Sequence, residues 1–559
     1  MKTGKLATTA YVSAILRAMS LYFRLSPEFR RNLADEKPGH YKYVFNARFI
    51  FRTRDDSIQI HVIFAGGKMQ VGRGMLANPD LTFTFKSPQG MRKLFSPTRP
   101  GDPLIMMLEN ELSIEGNVMY LAKFGHFSKE MSAGKKKRKL LAQNKTNPNL
   151  TIRYNPEARS AHPLSHRASL ESRPHDQVQV LTEPFLSRYS LEDFPRLKSV
   201  RERLYVNPGE ICTERPRLLT EYFLKHGFER DADGRERDPE IRQAEALHYI
   251  LSHRQPVIRD SDLLAGTSTS KEVGVLLFPE FGAGLLWPEL LNIDERPLNP
   301  YRIAAEDIDI LNYEVFPFWT GRNVMEYTRK KYGNPRCQQL DDRWVLYFSW
   351  KPHAVSHTIP NFPMILSRGL RDIISEAGEK EKQAKTEEKR NFYRAMQIAQ
   401  QGVLAYAANL KEKAGQMAAA LSDANPGEAR RKRELEEMAA ALARVPAYPA
   451  RTLREAVNSI WLSWVALHME NMNAGLSLGR LDQWLQPYFL QDMAKANSEA
   501  EKEEVIRQSI ELVGSFFLKC ADHLPASPDI GNRLFGGSSS DQALTLGGVD
   551  GRGKAWSAT

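Results

Sequence analysis

From Glu387 to Asn473 apolar residues recur at helical spacing with few interruptions, and this run constrains the fold more than any other feature. "EEKRNFYRAMQIAQQGVLAYAANLKEKAGQMAAALSDA" (Glu387–Ala424) reads as one long amphipathic helix. Asn425-Pro426-Gly427 breaks it, "EARRKRELEEMAAALARV" (Glu428–Val445) resumes, and "PAYPARTLREAVNSIWLSWVALHMENMN" (Pro446–Asn473) follows. Thr452, with Glu455 three residues on, carries the signature of a capping box. Ile460, Trp461, Trp464, Leu467 and His468 then fall on neighbouring turns. Helices of this kind need a partner surface, so a large, mainly helical unit is expected from about residue 190 onward. A chain of 559 residues is too long for one core and calls for two or three domains.

The preceding sequence is of another kind. "YKYVFNARFIFRT", "SIQIHVIFAG" and "DLTFTFKS" alternate apolar and polar residues as half-buried strands do. "DPLIMMLENELSIEGNVMYLAKF" (Asp102–Phe124) runs helix, turn, strand, helix, punctuated by Gly116. Residues 30–130 therefore read as a small α/β domain, and 131–190, rich in Lys, Asn, Pro, Ser and Arg, as a basic and polar linker. "KLATTAYVSAILRAMSLYF" near the N-terminus is interrupted by Arg17 and lacks a small-residue cleavage site. It predicts an amphipathic first helix rather than a secretory signal.

The net charge of +11 owes five positive charges to "KKKRK" (Lys135–Lys139). The rest is diluted among acids with no aromatic interleaving, which argues against nucleic-acid binding. Three cysteines, Cys212, Cys337 and Cys520, lie far apart without C-x-x-C spacing. They argue against a disulfide scaffold, a zinc site or an iron–sulfur cluster in this chain and fit a reducing cytoplasm. Cys212, at a helix start, is either a low-pKa nucleophile or a buried small hydrophobe; with no His partner nearby in sequence, burial is preferred. "VIRDSDLLAGTSTSKEVGVLLFPEFGAGLLWPEL" (Val257–Leu290) is strand-like and carries neither phosphate-loop pattern.

The run with most chemical content is "WVLYFSWKPHAVSHTIPNFPMILSRGLRDII" (Trp344–Ile374), where an aromatic strand delivers Trp350, His353, Ser356 and His357 into a loop. Pro352 and Pro360 argue against one helix presenting both histidines to a metal, so no metal site is assigned. Trp350, His353 and His357 are the candidate substrate-binding residues, and packing with satisfied hydrogen bonds is the competing role.

Taken in order, "ICTERPRLLTEYF" (Ile211–Phe223), "RQAEALHYIL…PVIRDSDLLAGT", "SHTIPNF…LSRGLRDI", "RVPAYPARTLREAVNSIWLSW", "LSLGRLDQWLQPYFLQD" (Leu476–Asp492), "EVIRQSIELVGSFFLKC" and "LTLGGVD" (Leu544–Asp550) resemble the glycyl radical enzymes, the family of pyruvate formate-lyase. "NPDLTFTFKSPQGMRKLFSP" (Asn78–Pro97) and "GDPLIMMLENELSIEGNVMYLAKF" (Gly101–Phe124) resemble a sterol carrier protein domain. The resemblances imply an α/β fold: a sterol-carrier-like domain, then, over residues 191–559, a mainly helical, incomplete half of a ten-stranded α/β barrel. The first domain is expected to hold a lipid or other hydrophobic ligand, with Phe83, Phe85, Leu104, Met107 and Leu108 as candidate lining.

Family resemblance further implies a radical stored on a glycine α-carbon, where the missing side chain lets the backbone flatten and delocalise. It passes to a cysteine sulfur that abstracts hydrogen from a C–H bond. The cofactor requirement is that radical, installed by an S-adenosylmethionine-dependent iron–sulfur activating enzyme. The partners implied are that enzyme, a small substrate and, when complete, a second copy in a homodimer. Lyase, decarboxylase, dehydratase and radical-addition chemistry stay open, with a tilt toward a hydrophobic or aromatic substrate from Trp287, Trp344 and Trp350. In the family the cysteine loop follows the "LTLGGVD" passage and the radical glycine lies near the far C-terminus. Neither motif occurs among the 559 residues, so the catalytic cysteine and the radical glycine are both expected beyond Thr559. The chain is thus expected to be a front portion, inactive alone; the alternative is a non-catalytic lipid-binding scaffold with a degenerate half-barrel.

Overall fold

The computed structural model describes residues 2–37, 41–96, 103–144, 188–296, 298–331, 333–342, 357–473, 475–529, 531–532, 542–549 and 552–554. The chain divides into two compact units, one formed by residues 1–159, 277–354 and 526–538, the other by the remainder.

The first unit is built on a five-stranded mixed sheet. Its strands are β1 (Ala47–Thr53), β2 (Gln59–Ala65), β3 (Lys68–Arg73), β4 (Leu81–Phe85) and β5 (Leu112–Gly116), in the spatial order β3-β2-β1-β4-β5. Only β1 and β4 run parallel, with Phe51 opposite Phe83. In β2, Ile60, Val62 and Phe64 are buried while Gln59, His61 and Ile63 are partly exposed, the period of two that the sequence carries. Helix α1 (Lys2–Leu25) buries Val12, Leu16, Met19 and Phe23 in the same core, at steps of four, three and four. Its Gly4–Leu25 portion is long and apolar enough to cross a membrane, yet this face is spent on the domain interior.

The core itself is aromatic. Phe49, Phe51, Phe83 and Phe124 meet with ring centroids 4.4–6.3 Å apart. Of the proposed lipid-lining residues, Phe83 and Phe85 are wholly buried and Met107 nearly so, whereas Leu108 is exposed; the Leu104 side chain lies outside the described residues. Helix α2 (Val118–Asn144) covers the sheet and stays helical through Lys135–Lys139. In the same unit a tight helical turn at Ala283–Glu289 is followed by a helical run from Ala305 to Trp319, which widens to π geometry at Leu311–Val315. Trp287, counted from sequence toward an aromatic substrate, is 1% exposed, and its indole N–H donates to Asn312 Oδ1 at 2.7 Å. Its role is packing. Trp344 lies outside the described residues.

The second unit is mainly helical. Its helices are α3 (Pro195–Val206), α4 (Glu214–His226), α5 (Pro239–His253), α6 (Phe362–Arg368), α7 (Leu370–Gln383), α8 (Glu387–Ala419), α9 (Pro426–Arg444), α10 (Leu453–Glu470), α11 (Leu481–Lys495) and α12 (Glu499–Lys519). Helix α8 stops at Ala419, short of the expected Ala424. There Ser422 N–H donates to the Glu428 carboxylate at 2.9 Å and Ala424 N–H to Ser422 Oγ at 3.2 Å, so side chains take the donors a further helical turn would need. Asn425 caps α9 by accepting from Gly427 and Glu428. The capping box of α10 is half formed: Thr452 accepts from Glu455 N–H, but Glu455 accepts from Arg451 N–H instead of the cap. Against these helices lie short parallel strands. Strands β6 (Glu210–Ile211), β7 (Gly274–Leu276) and β9 (His523–Pro525) form a sheet in the order β9-β7-β6, and β8 (Leu476–Gly479) pairs with β10 (Gln542–Leu544).

Candidate functional site

In parallel α/β sheets ligands gather beyond the carboxyl ends of the strands, and at that end of the β8/β10 pair the two loops are tied together by side chains. Gly479 leaves β8 at φ +69°. A β-carbon on it would overlap the Trp484 ring, so glycine is needed both for the backbone and for the space. The next residue, Arg480, reaches across to the turn after β10 and donates to the carbonyls of Gly547 and, at 3.1 Å, Val549. Gln483 Nε2 adds a bond to Val549 O at 3.2 Å. Asp482 closes the circuit by accepting from Gly547 N–H at 2.9 Å. Gly547 and Gly548 both hold positive φ, +69° and +80°. A cation, an amide and a carboxylate on one short bend thus fix the glycine-rich turn by its backbone alone.

At the opposite end of β8, Ser477 N–H donates to Thr358 O at 2.9 Å, and Thr358 Oγ1 to Asn473 Oδ1 at 2.6 Å. The adjoining His357 is exposed, and its ring lies where a β-carbon on Gly475 would fall, 2.6 Å from Nδ1. His357 is thus about 15 Å, one strand length, from the Arg480 bend. Trp350 and His353 lie outside the described residues. So does Thr559, beyond which the resemblance puts the catalytic cysteine and the radical glycine; the description of the chain's last stretch ends at Lys554. Among the described residues no group of three or more His, Cys, Asp or Glu side chains could hold a metal ion.

The entering end of the β9-β7-β6 sheet holds a second concentration of chemistry. Asp522 accepts from Ser268 Oγ at 2.8 Å and lies 3.4 Å from Arg259 Nη1, while Lys519 Nζ is 3.0 Å from Asp262 Oδ2. Burial pushes the Asp522 carboxyl up, against the pull of Arg259 and Lys519. Val200, Arg203 and Ser261 join these groups around a small cleft. On α10 the His468 ring is 3.9 Å from Trp464 and 4.7 Å from His523. His468 Nδ1 bonds the Trp464 carbonyl at 2.8 Å, which fixes the proton on that nitrogen. Burial lowers the His468 pKa to about 4, so the ring is neutral. Asp262, Asp522, Lys519, His468 and His523 are all buried, so these ion pairs and rings serve as support.

Cys212 follows β6, buried, with Sγ 3.4 Å from Ser270 Oγ, and burial pushes its thiol up. The buried-residue reading of Cys212 is the one the structure supports. Cys520 is likewise buried and raised, and Cys337 is exposed. Sequence reasoning passed over Arg480, Asp482, Arg259, Lys519 and Asp522. The signal for the first two stood in "LSLGRLDQ", where charges follow a glycine at a strand end; the other three are scattered and had none.

The model of the family described as pyruvate formate lyase-like matches residues 189–557. Isethionate sulfite-lyase of Nitratidesulfovibrio vulgaris is 27% identical over 404 residues, covering 68% of this chain and 46% of that protein. (2S)-3-Sulfopropanediol dehydratase of Klebsiella oxytoca is 27% identical over 396 residues, 66% of this chain and 45% of the other. Among solved structures, a glycyl radical enzyme from Archaeoglobus fulgidus superposes with a TM-score of 0.55 at 26% identity, covering 64% of this chain and 44% of that one. The B12-independent glycerol dehydratase from Clostridium butyricum gives 0.57 at 24%, with 65% and 44% covered, and shares the fold. The chain spans less than half the length of these relatives. Matched from residue 189 to residue 557, it belongs to the pyruvate formate lyase-like family.

Proposed function

We propose that the protein serves glycyl radical chemistry of the lyase or dehydratase type on a small substrate, with residues 189–557 supplying the front half of the strand cage around it. The observation that carries this reading is the Arg480–Asp482–Gln483 bend holding the Gly547–Val549 turn at the carboxyl ends of β8 and β10. The family resemblance puts the cysteine loop directly after that turn, and a radical-bearing loop needs a fixed base. With Cys212 and Cys520 buried and their thiols raised, neither is suited to meet a substrate. On this reading the thiyl cysteine and radical glycine belong to polypeptide beyond Thr559 and meet the substrate at the carboxyl ends of β8 and β10, while His357, with Trp350 and His353, lines the far end of the cage, one strand length away. The relatives' names support elimination or C–S cleavage as the reaction type. For the N-terminal domain, the five-stranded mixed sheet covered by α1 and α2 supports a sterol-carrier-like fold.

The test is anaerobic activation. The 559-residue chain, given an S-adenosylmethionine-dependent activating enzyme, should show no glycyl doublet by electron paramagnetic resonance and no turnover. Addition of a polypeptide bearing the G-C-V loop and the glycine motif should produce both. Turnover by the chain alone would displace the missing-residue part of the reading. No radical in the combined sample would leave the non-catalytic scaffold as the function.

A further inference from the structure

On α2, Lys123, His126 and Glu130 recur at steps of three and four, the pattern of polar residues on a solvated helix face, with the apolar Met119 one turn before them. Yet Lys123 and His126 are wholly enclosed and Glu130 nearly so. Lys123 and His126 bond into residues 283–320, which belong to the same compact unit and lie within the family-matched segment, while Asn32 covers Glu130. Lys123 Nζ donates to Asn312 Oδ1 at 2.8 Å and to Asn32 Oδ1 at 3.3 Å, and sits 4.4 Å from the Trp287 ring centroid. Asn312 Nδ2 donates to Asn32 Oδ1 at 2.9 Å, and Asn32 Nδ2 to Glu130 Oε2 at 2.7 Å. His126 Nδ1 pairs with the Trp287 carbonyl at 3.0 Å. The backbones are as close as the side chains. A β-carbon on Gly125 would stand 2.9 Å from Pro288, and one on Gly284 would overlap Met119 Cε.

We propose that the N-terminal domain is a fixed, in-chain clamp on residues 283–320, seated by the Asn32–Lys123–Asn312 junction, and not a carrier that opens for a lipid. Buried amides and an amine that lose a partner cost more than they contribute when paired, so such a junction admits one docking geometry. A carrier needs a surface that parts; this one is knitted by hydrogen bonds whose donors and acceptors alternate between the two sides. The volume between sheet and α2 is taken by Phe49, Phe51, Phe83 and Phe124 in mutual ring contact. The domain therefore acts as a built-in structural partner of the family fold.

Hydrogen exchange on the full chain, followed by mass spectrometry, tests the clamp. Asn32→Leu should speed exchange in peptides 118–131 and 283–320 together, by tenfold or more, while the β1–β2 hairpin keeps its protection. Acceleration of one peptide alone, or of neither, overturns the proposal. If Asn32→Leu yields no folded protein, Trp287→Phe, which removes the indole donor and part of the ring volume but keeps an aromatic ring, should produce a smaller acceleration, again in both peptides; an effect confined to one overturns it. A fluorescent fatty acid titrated into the wild-type chain should show no saturable binding, and saturable one-to-one binding overturns the exclusion of a carrier.

Discussion

The imidazole of His468 lies 4.7 Å from that of His523, both in the interior of the helical unit, with Trp464 against each. Burial lowers both, His468 from the ordinary 6.5 to about 4. A histidine lowered on folding binds its proton more readily when unfolded, so stability is full above pH 6.5 and is lost as pH falls toward 4. For His468 the loss is on the order of 3 kcal/mol. The thermal midpoint should fall between pH 7.5 and 5, and the fall should be shallower in His468→Phe. An unchanged slope in that variant would mean that the ring is not the titrating group.

Gly479→Ala tests the strand-end bend. Alanine must hold a positive φ and displace the Trp484 ring, together about 2–4 kcal/mol. Urea unfolding should register that loss, with a shift in tryptophan emission before the main transition.

Arg480→Lys keeps the charge but gives up the planar fork that reaches two carbonyls at once. Amide exchange across Leu544–Val549 should accelerate about tenfold or more, with global stability lowered by about 1 kcal/mol or less. If that peptide exchanges as in the wild type, the turn is held by other means.

The Lys519–Asp262 pair is enclosed, with both side chains less than a tenth exposed. Lys519→Met leaves the Asp262 carboxylate inside without its cation and should cost about 3 kcal/mol. Asp262→Asn keeps the acceptor for Arg259 N–H, a 2.9 Å bond. The double variant should therefore lose less than the sum of the two singles, and strict additivity would show that the pair is uncoupled.

What could be read in advance followed periodicity. Glu387–Ala419 announced itself because one face is buried and the other wet, Leu453–Glu470 by its cap ahead of an apolar run that is buried nearly all round, and β2 because its side chains alternate, while β1 buries Phe49, Ile50 and Phe51 in succession. The passage from Val257 to Leu290 reads as strand but contains only Gly274–Leu276, since a segment enclosed on all sides has no period to display. Edge strand β3, with a single buried residue, Met69, left too weak a trace. The burial of Lys123 and His126 was hidden for another reason. Their spacing is that of an exposed helix face, and what turns it inward is Asn312, nearly two hundred residues away. The Arg480 bend was visible as a motif, but its target, the Gly547 carbonyl, became evident only in three dimensions.

Strand β7 lies between two neighbours that the ribosome delivers at very different times. Ile211, on β6, is already made when Val275 emerges, whereas Leu524, on β9, comes about 250 residues later. At ordinary elongation rates that interval is roughly 12–50 s. Through that time one side of β7 waits without its mate, so nascent-chain holding factors should engage the growing polypeptide most strongly between the synthesis of these two segments.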